Sequence, residues 1–337
     1  MRYNGSGSIE LAENSGKAAE LDSVPSLEDR RIPARIPGVD GSQFLVSPTA
    51  RAAAAYPDPF ADGSTAVPLW LWWNILSADA PAVAAVWAIL FARTEGAPVS
   101  AGTIALLALI VWLIYVFDRL LDGWRGDENL LRARHKFCAQ HRAALAAMLA
   151  GGTLASVWLV RHVLTTAEFK SGLILSAIVS VYLVCVHLGG ESAARWFPKE
   201  VAVGFVFALG TLLPVWSQSH VSSPRLWVSC LFFALLCTLN CVAIECWENG
   251  AAGDDQPSIV KLADSCIAEL AAMLAAAALA TGIIFPVAGP VCAALATSAL
   301  LTLLLEASRR RLSGSALRVL ADLALVGPAL LALAIRL

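Results

Sequence analysis

Charge is what this sequence has least of. Of its 337 residues only 15% are Asp, Glu, Lys or Arg, against roughly 25% in an average soluble domain. That is too little to clothe a water-facing surface, so a soluble globular protein is excluded. The basic residues lie scattered between apolar blocks and form no footprint for nucleic acid. Eight cysteines are present, but they lack the spacing of a zinc site and the pattern of a secreted disulfide framework. They read as small residues in or beside apolar runs. Residues 1–66 contain no apolar stretch of the kind that forms a signal peptide. Rich in Ser, Gly, Pro and Ala, this segment is expected to be a disordered tail, with a short surface helix near Ala50–Tyr56. The net charge of −2 points to no particular partner.

What the chain does have is hydrophobicity, with 58% apolar residues gathered in long runs. A run of about 20 apolar residues crosses a hydrocarbon core of ~30 Å as a helix. Spans are expected near 68–92, 99–118, 143–161, 171–190, 200–217, 226–247, 265–285, 287–306 and 318–336. The expected fold is therefore an all-α membrane protein, a bundle of about nine transmembrane helices over 67–337 behind the tail. Pro286 and Pro290 make the seventh and eighth spans either a tight hairpin or one broken segment. Gly204 and Gly210, six apart, form no GxxxG face and are expected to ease local packing. Trp70, Trp72 and Trp73 suit an interfacial aromatic belt.

The loops after spans 2, 4, 6 and 8 carry thirteen basic residues, against five on the opposite face, and the tail adds six. By the positive-inside rule the N-terminus and these loops are cytoplasmic. The expected location is an integral, polytopic one in a bacterial inner membrane.

Two acidic clusters end spans on that face. Span 2 closes with Tyr115-Val-Phe-Asp118-Arg119-Leu-Leu-Asp122-Gly123, where spacing of four puts Asp118 and Asp122 on one helical face. Span 6 closes with Asn240-Cys-Val-Ala-Ile-Glu245-Cys-Trp-Glu248, whose two acids are three apart and also share a face. Four carboxylates around one cavity repel unless cations lie between them. Mg²⁺, a hard ion, bridges carboxylates to phosphate oxygens. Arg119, Arg125, Arg132, Arg134, Lys136 and Lys199 stand ready for the remaining phosphate charge. The alternative reading is a solvated membrane edge followed by a topology signal.

At these residues the chain resembles the UbiA-type intramembrane prenyltransferase superfamily, which includes 4-hydroxybenzoate polyprenyltransferases. Asp118-Arg119-Leu-Leu-Asp122-Gly123 matches the latter half of the family's Asn-Asp-x-x-Asp-x-x-x-Asp motif on the second helix. Ile114 and Tyr115 stand where the family has Asn-Asp, and Glu245 and Glu248 stand at the position of its second Asp-rich motif. The resemblance implies transfer of a prenyl group from an isoprenyl diphosphate to a lipophilic or aromatic acceptor, within membrane lipid. It implies Asp118, Asp122, Glu245 and Glu248 as catalytic Mg²⁺ ligands and the basic residues above as diphosphate contacts. Tyr115 and Asn240 are candidate pocket residues. Tyr115 suits a carbocation-facing ring, a phosphate hydrogen bond or a packing role.

His135 and His141 flank the basic loop and read as ordinary loop residues or phosphate contacts. His187 reads as a satisfied polar residue. Asp322, inside span 9, is either functional or paired with Arg318 one turn earlier. Three rivals remain: a CDP-alcohol phosphotransferase, echoed by Asp122-Gly123 and Arg125; a transporter; and a superfamily member that kept the fold and lost the chemistry, holding lipid or a partner instead. The acceptor, the prenyl chain length and the oligomeric state are not encoded in any motif of the chain.

Overall fold

The computed structural model describes residues 68–125, 137, 140–188, 199–218, 223–249 and 264–335, with the side chains of 122–125, 182–183, 185–188 and 248–249 excepted. The expected tail, its surface helix, and Arg132, Arg134, His135 and Lys136 lie outside the described residues, as do the side chains of Asp122, Arg125, His187 and Glu248. No strand occurs among the described residues. The helices are α1 (Leu69–Ile75), α2 (Asp79–Glu95), α3 (Ala101–Arg125), α4 (Arg142–Val163), α5 (Thr166–Leu188), α6 (Lys199–Trp216), α7 (Pro224–Asn249), α8 (Ile267–Ile284), α9 (Gly289–Ser308) and α10 (Gly314–Ile335).

Seven of these, α3, α4 and α6 to α10, are long and apolar enough to cross a membrane, and α1 with α2 makes an eighth as a pair bent by 79°. The bend departs from the single straight span expected over 68–92. Its cause is local: Ser77 adopts a positive φ of 57°, which an L-residue rarely does. Asp79 restarts the chain as a helix by accepting the Ala80 N–H at 3.0 Å. At its other end α2 stops where Gly96 takes φ 68°, and the Ala97 N–H returns to the Ala92 carbonyl at 2.8 Å. Between α8 and α9 a single 3₁₀ turn, Pro286–Ala288, folds the chain back, so these two form the tight hairpin.

The core lies among α2, α6, α7, α8, α9 and α10. Trp87 of α2, fully buried, stacks on Phe233 of α7 at 4.5 Å and donates its Nε1–H to the Leu325 carbonyl of α10 at 3.0 Å. Small residues let helices approach, the usual basis of packing where lipid removes the hydrophobic driving force. A Cβ on Gly204 of α6 would come within 2.7 Å of the Thr238 backbone nitrogen on α7, and one on Gly282 within 3.0 Å of Cys292 Cβ. Gly204 thus does ease packing, at a point where two backbones nearly touch.

Outside this core, α3 packs on α2, α4 on α3 and α5 on α6. The outward faces of α4 and α5 are apolar: Leu154 is 72% exposed and Leu173 63%. Surfaces of that kind suit hydrocarbon rather than water. Pro214 and Pro328 sit inside α6 and α10, as membrane helices tolerate when neighbours supply the packing.

Candidate functional site

The ends of α3 and α7, where the two acidic clusters lie, sit on one face of the bundle. Contacts at both ends of α2 establish this. At the start of α2, Arg119 near the end of α3 reaches into the bend. At the end of α2, Glu95 accepts from Ser223 Oγ and from the Arg225 guanidinium, each at 3.3 Å, at the beginning of α7. So α7 starts on the far face and finishes on the face of the bend, as α3 does.

The bend is a polar elbow built inside apolar surroundings. Arg119, 4% exposed, donates through Nη1 to the Asn74 carbonyl at 2.7 Å and to Ser77 Oγ at 2.5 Å. Its other guanidinium nitrogen stands 3.7 Å from the Asp79 carboxylate. Asn74 donates its Nδ2–H to Asp79 Oδ2 at 2.7 Å, and Trp112 of α3 donates to the Leu76 carbonyl at 3.0 Å. A broken helix frees backbone carbonyls that lipid cannot satisfy; Trp112 satisfies that of Leu76, and Arg119 adds a second donor to that of Asn74, which also accepts the Ser77 N–H at 3.1 Å. A buried charge in a membrane needs a partner, and Asp79 and Arg119 supply each other.

Asp322 of α10, 8% exposed, adds a second acid to this group. Its carboxyl meets that of Asp79, with Arg318 and Arg119 beside it. Two acids and two guanidiniums therefore meet in one cluster between α2, α3 and α10. Arg318, the expected partner of Asp322, lies within electrostatic range of its carboxyl.

Tyr115, one turn before Arg119, lies within electrostatic range of Asp79, Asp322 and the Cys237 and Cys241 thiols of α7. Cys241 in turn neighbours Glu200 and Lys199 at the start of α6, and Arg318 and Asp322 at the start of α10. The structure thus gathers Tyr115, Lys199 and the 237–241 stretch of α7 around one polar centre. Glu200 is buried there, and Lys199 is exposed at the helix start. Asn240 is 6% exposed, and its Oδ1 has no hydrogen-bond partner among the described residues; the same holds for Asp322 Oδ2. Buried acceptors without donors are where a ligand or ordered water belongs.

Of the acids expected to hold metal, Asp118 and Glu245 are both half-buried on this face, and each is engaged in other interactions. No group of three or more His, Cys, Asp or Glu among the described residues converges on one point. That does not conflict with Mg²⁺, which typically takes one or two carboxylates and completes its shell with waters and phosphate oxygens. His141 precedes α4, donates its Nδ1–H to the Phe137 carbonyl at 3.0 Å and stacks on the Phe137 ring.

Asp79, Asn74, Ser77 and Glu200 were absent from the sequence-derived set. Asp79 carried a signal: an acid inside an apolar run, two residues before Pro81, marks both an intramembrane function and a helix start. Glu200 carried none, since an acid at the head of a span reads as solvated.

A last ionic group sits where α8 begins and α9 ends. Arg309 pairs with Asp264 and with Glu306, each at 2.9 Å, and Glu306 accepts the Trp247 Nε1–H at 2.7 Å. The hydrogen bond from Arg309 to Asp264 holds the guanidinium pKa above its usual value. Against known proteins, the chain matches no family model, no curated protein and no solved structure.

Proposed function

We propose that the chain is a nine-span membrane prenyltransferase of the UbiA type, with α5 as the ninth span and its polar centre facing the cytoplasm. It moves a prenyl group from an isoprenyl diphosphate to a lipophilic or aromatic acceptor. The observation that carries this reading is that the α3 and α7 ends lie on one face of the bundle, with Tyr115 and Lys199 each within electrostatic range of Cys241 on α7.

In this reading Asp118 and Asp122, with Glu245 and Glu248 opposite, hold Mg²⁺ and the diphosphate. Bound Mg²⁺ supplies charge stabilisation as the allylic C–O bond breaks and its electron pair leaves with diphosphate. Arg125, Arg132, Arg134, Lys136 and Lys199 take the remaining phosphate charge. Arg119 is a positioning residue: its Nη1 donates twice to the elbow, and it fixes the turn of α3 that carries Asp118. Tyr115 turns its ring or hydroxyl toward the reacting carbon or the phosphate. The unfilled acceptors at Asn240 and Asp322 suit a donor group on the second substrate. The test is diphosphate release from isoprenyl diphosphates with Mg²⁺ present: Asp118→Asn abolishes it in a protein that still folds, and undiminished release removes Asp118 from the site.

A second reading, ion-coupled transport, is favoured by the bent α1–α2 pair and the ionisable groups lining it. Transporters build substrate sites from interrupted helices with buried charges. Saturable binding of an isoprenyl diphosphate that depends on Mg²⁺ decides for the enzyme.

A further inference from the structure

Along the outer seam of α3 and α4 runs a groove of about 480 Å³. Ile114, Phe117 and Leu121 form one wall, Ala146 and Ala150 the other, and Arg142 lines it where α4 begins. Behind it Val116 packs on Leu145, so the groove opens outward toward lipid and not into the bundle. At its other end Gly152 brings α4 against α3: a Cβ there would stand 2.8 Å from Leu113. The alanines give the groove its depth.

Phe117 lies about 200° around α3 from both Tyr115 and Arg119 at ~100° per residue. The groove is therefore on the opposite side of α3 from the polar centre and does not depend on the function proposed above. Apart from Thr153, whose hydroxyl donates to the Leu149 carbonyl of its own helix, the walls are apolar. Among the described residues Arg142 is the one charged residue lining it, and this side chain is exposed with no ion-pair or hydrogen-bond partner among them. No carboxylate of the described residues lines the groove. A hydrocarbon chain fits the walls, and a phosphate fits the planar guanidinium fork. Among the described residues, the ammonium of a zwitterionic headgroup would find no acid on the lining, whereas the phosphate of an anionic headgroup finds Arg142.

We propose that this groove holds an acyl chain of an anionic phospholipid whose phosphate pairs with Arg142. The test uses the full chain in nanodiscs of equal phosphatidylglycerol and phosphatidylcholine, followed by native mass spectrometry of the lipid retained on release. One phosphatidylglycerol should remain bound, preferred about fivefold over phosphatidylcholine, since one basic residue gains ~1 kcal/mol at an anionic membrane surface. Arg142→Ala should bring the preference to parity, and Arg142→Lys should keep part of it. Ala150→Phe fills the groove and should release the lipid with Arg142 intact. If that variant does not fold, Arg142→Ala, at an exposed helix end, decides alone. Equal retention of the two lipids, or a preference unchanged by Arg142→Ala, overturns the proposal. So does displacement of the retained lipid by added isoprenyl diphosphate, which would make the groove a substrate route.

Discussion

Replacing Arg119 by methionine removes the pin of the elbow while keeping the volume and the apolar stem. Two hydrogen bonds go, to the Asn74 carbonyl and Ser77 Oγ, and Asp79 loses the guanidinium 3.7 Å away. Removing one partner of a buried ion pair costs ~3–5 kcal/mol in soluble proteins. Polar contacts between membrane helices measure lower, averaging ~0.6 kcal/mol each and reaching ~1.7. Asp79 also keeps two donors, Asn74 Nδ2 at 2.7 Å and the Ala80 N–H at 3.0 Å. The loss should therefore be about 2–3 kcal/mol, or roughly 3–5 °C in Tm for a chain of this size. Thermal unfolding in detergent reads it, in a cycle with Asp79→Asn. Alone, Asp79→Asn leaves Arg119 without its nearest counter-charge; in the Arg119→Met background it removes an orphaned carboxylate. Any relief Asp79→Asn gives Asp322 occurs in both backgrounds and cancels. The coupling should be about 1–2 kcal/mol, with the double variant more stable than the sum of the singles predicts. A Tm unmoved by Arg119→Met, or additivity within ~0.5 kcal/mol, would refute the elbow as a charge-pinned unit.

Gly204→Ala should lower Tm by the equivalent of roughly 1–3 kcal/mol, because its Cβ meets backbone on α7 that cannot yield. Gly151→Ala, with nothing within 4 Å of the new Cβ, should raise stability by about 0.5–1 kcal/mol in the same unfolding assay. Trp87→Ala empties the centre of the core and should cost ~3–5 kcal/mol, seen as lost monodisperse protein on size exclusion. Arg309→Ala should cost no more than about 1 kcal/mol despite its two ion pairs, because that group is a third exposed and water replaces them.

The helices themselves were legible in the hydropathy runs, because the bilayer fixes their length and demands that every backbone group bond within the helix. The expected spans over 99–118 and 226–247 correspond to the cores of α3 and α7, each of which continues past the apolar run through its acidic residues. The elbow was not legible as a bend. Hydropathy averages over Leu76, Ser77 and Ala78, and a 79° change of direction leaves no trace in a window of apolar residues. Nor could the sequence say which way Asn240 or Cys241 faces. A helix that is apolar all round carries no amphipathic signal to orient it, and only packing against α6 and α10 turns them to the polar centre. The shared face of the two acidic clusters was legible from counting spans, and the contacts of Arg119 and Glu95 at opposite ends of α2 supply its geometry. Arg119 shows the limit of reading by type: nothing in its residue type says that Nη1 donates to a broken helix.

The most direct test of the enzyme reading is diphosphate release by the purified protein in detergent, across isoprenyl diphosphates of several chain lengths, with and without Mg²⁺. Release that requires Mg²⁺, and that Asp118→Asn removes while the melting transition is retained, is the result predicted. A folded protein that neither binds nor hydrolyses any isoprenyl diphosphate in the presence of Mg²⁺ would contradict the account and return the polar centre to transport or to lipid holding.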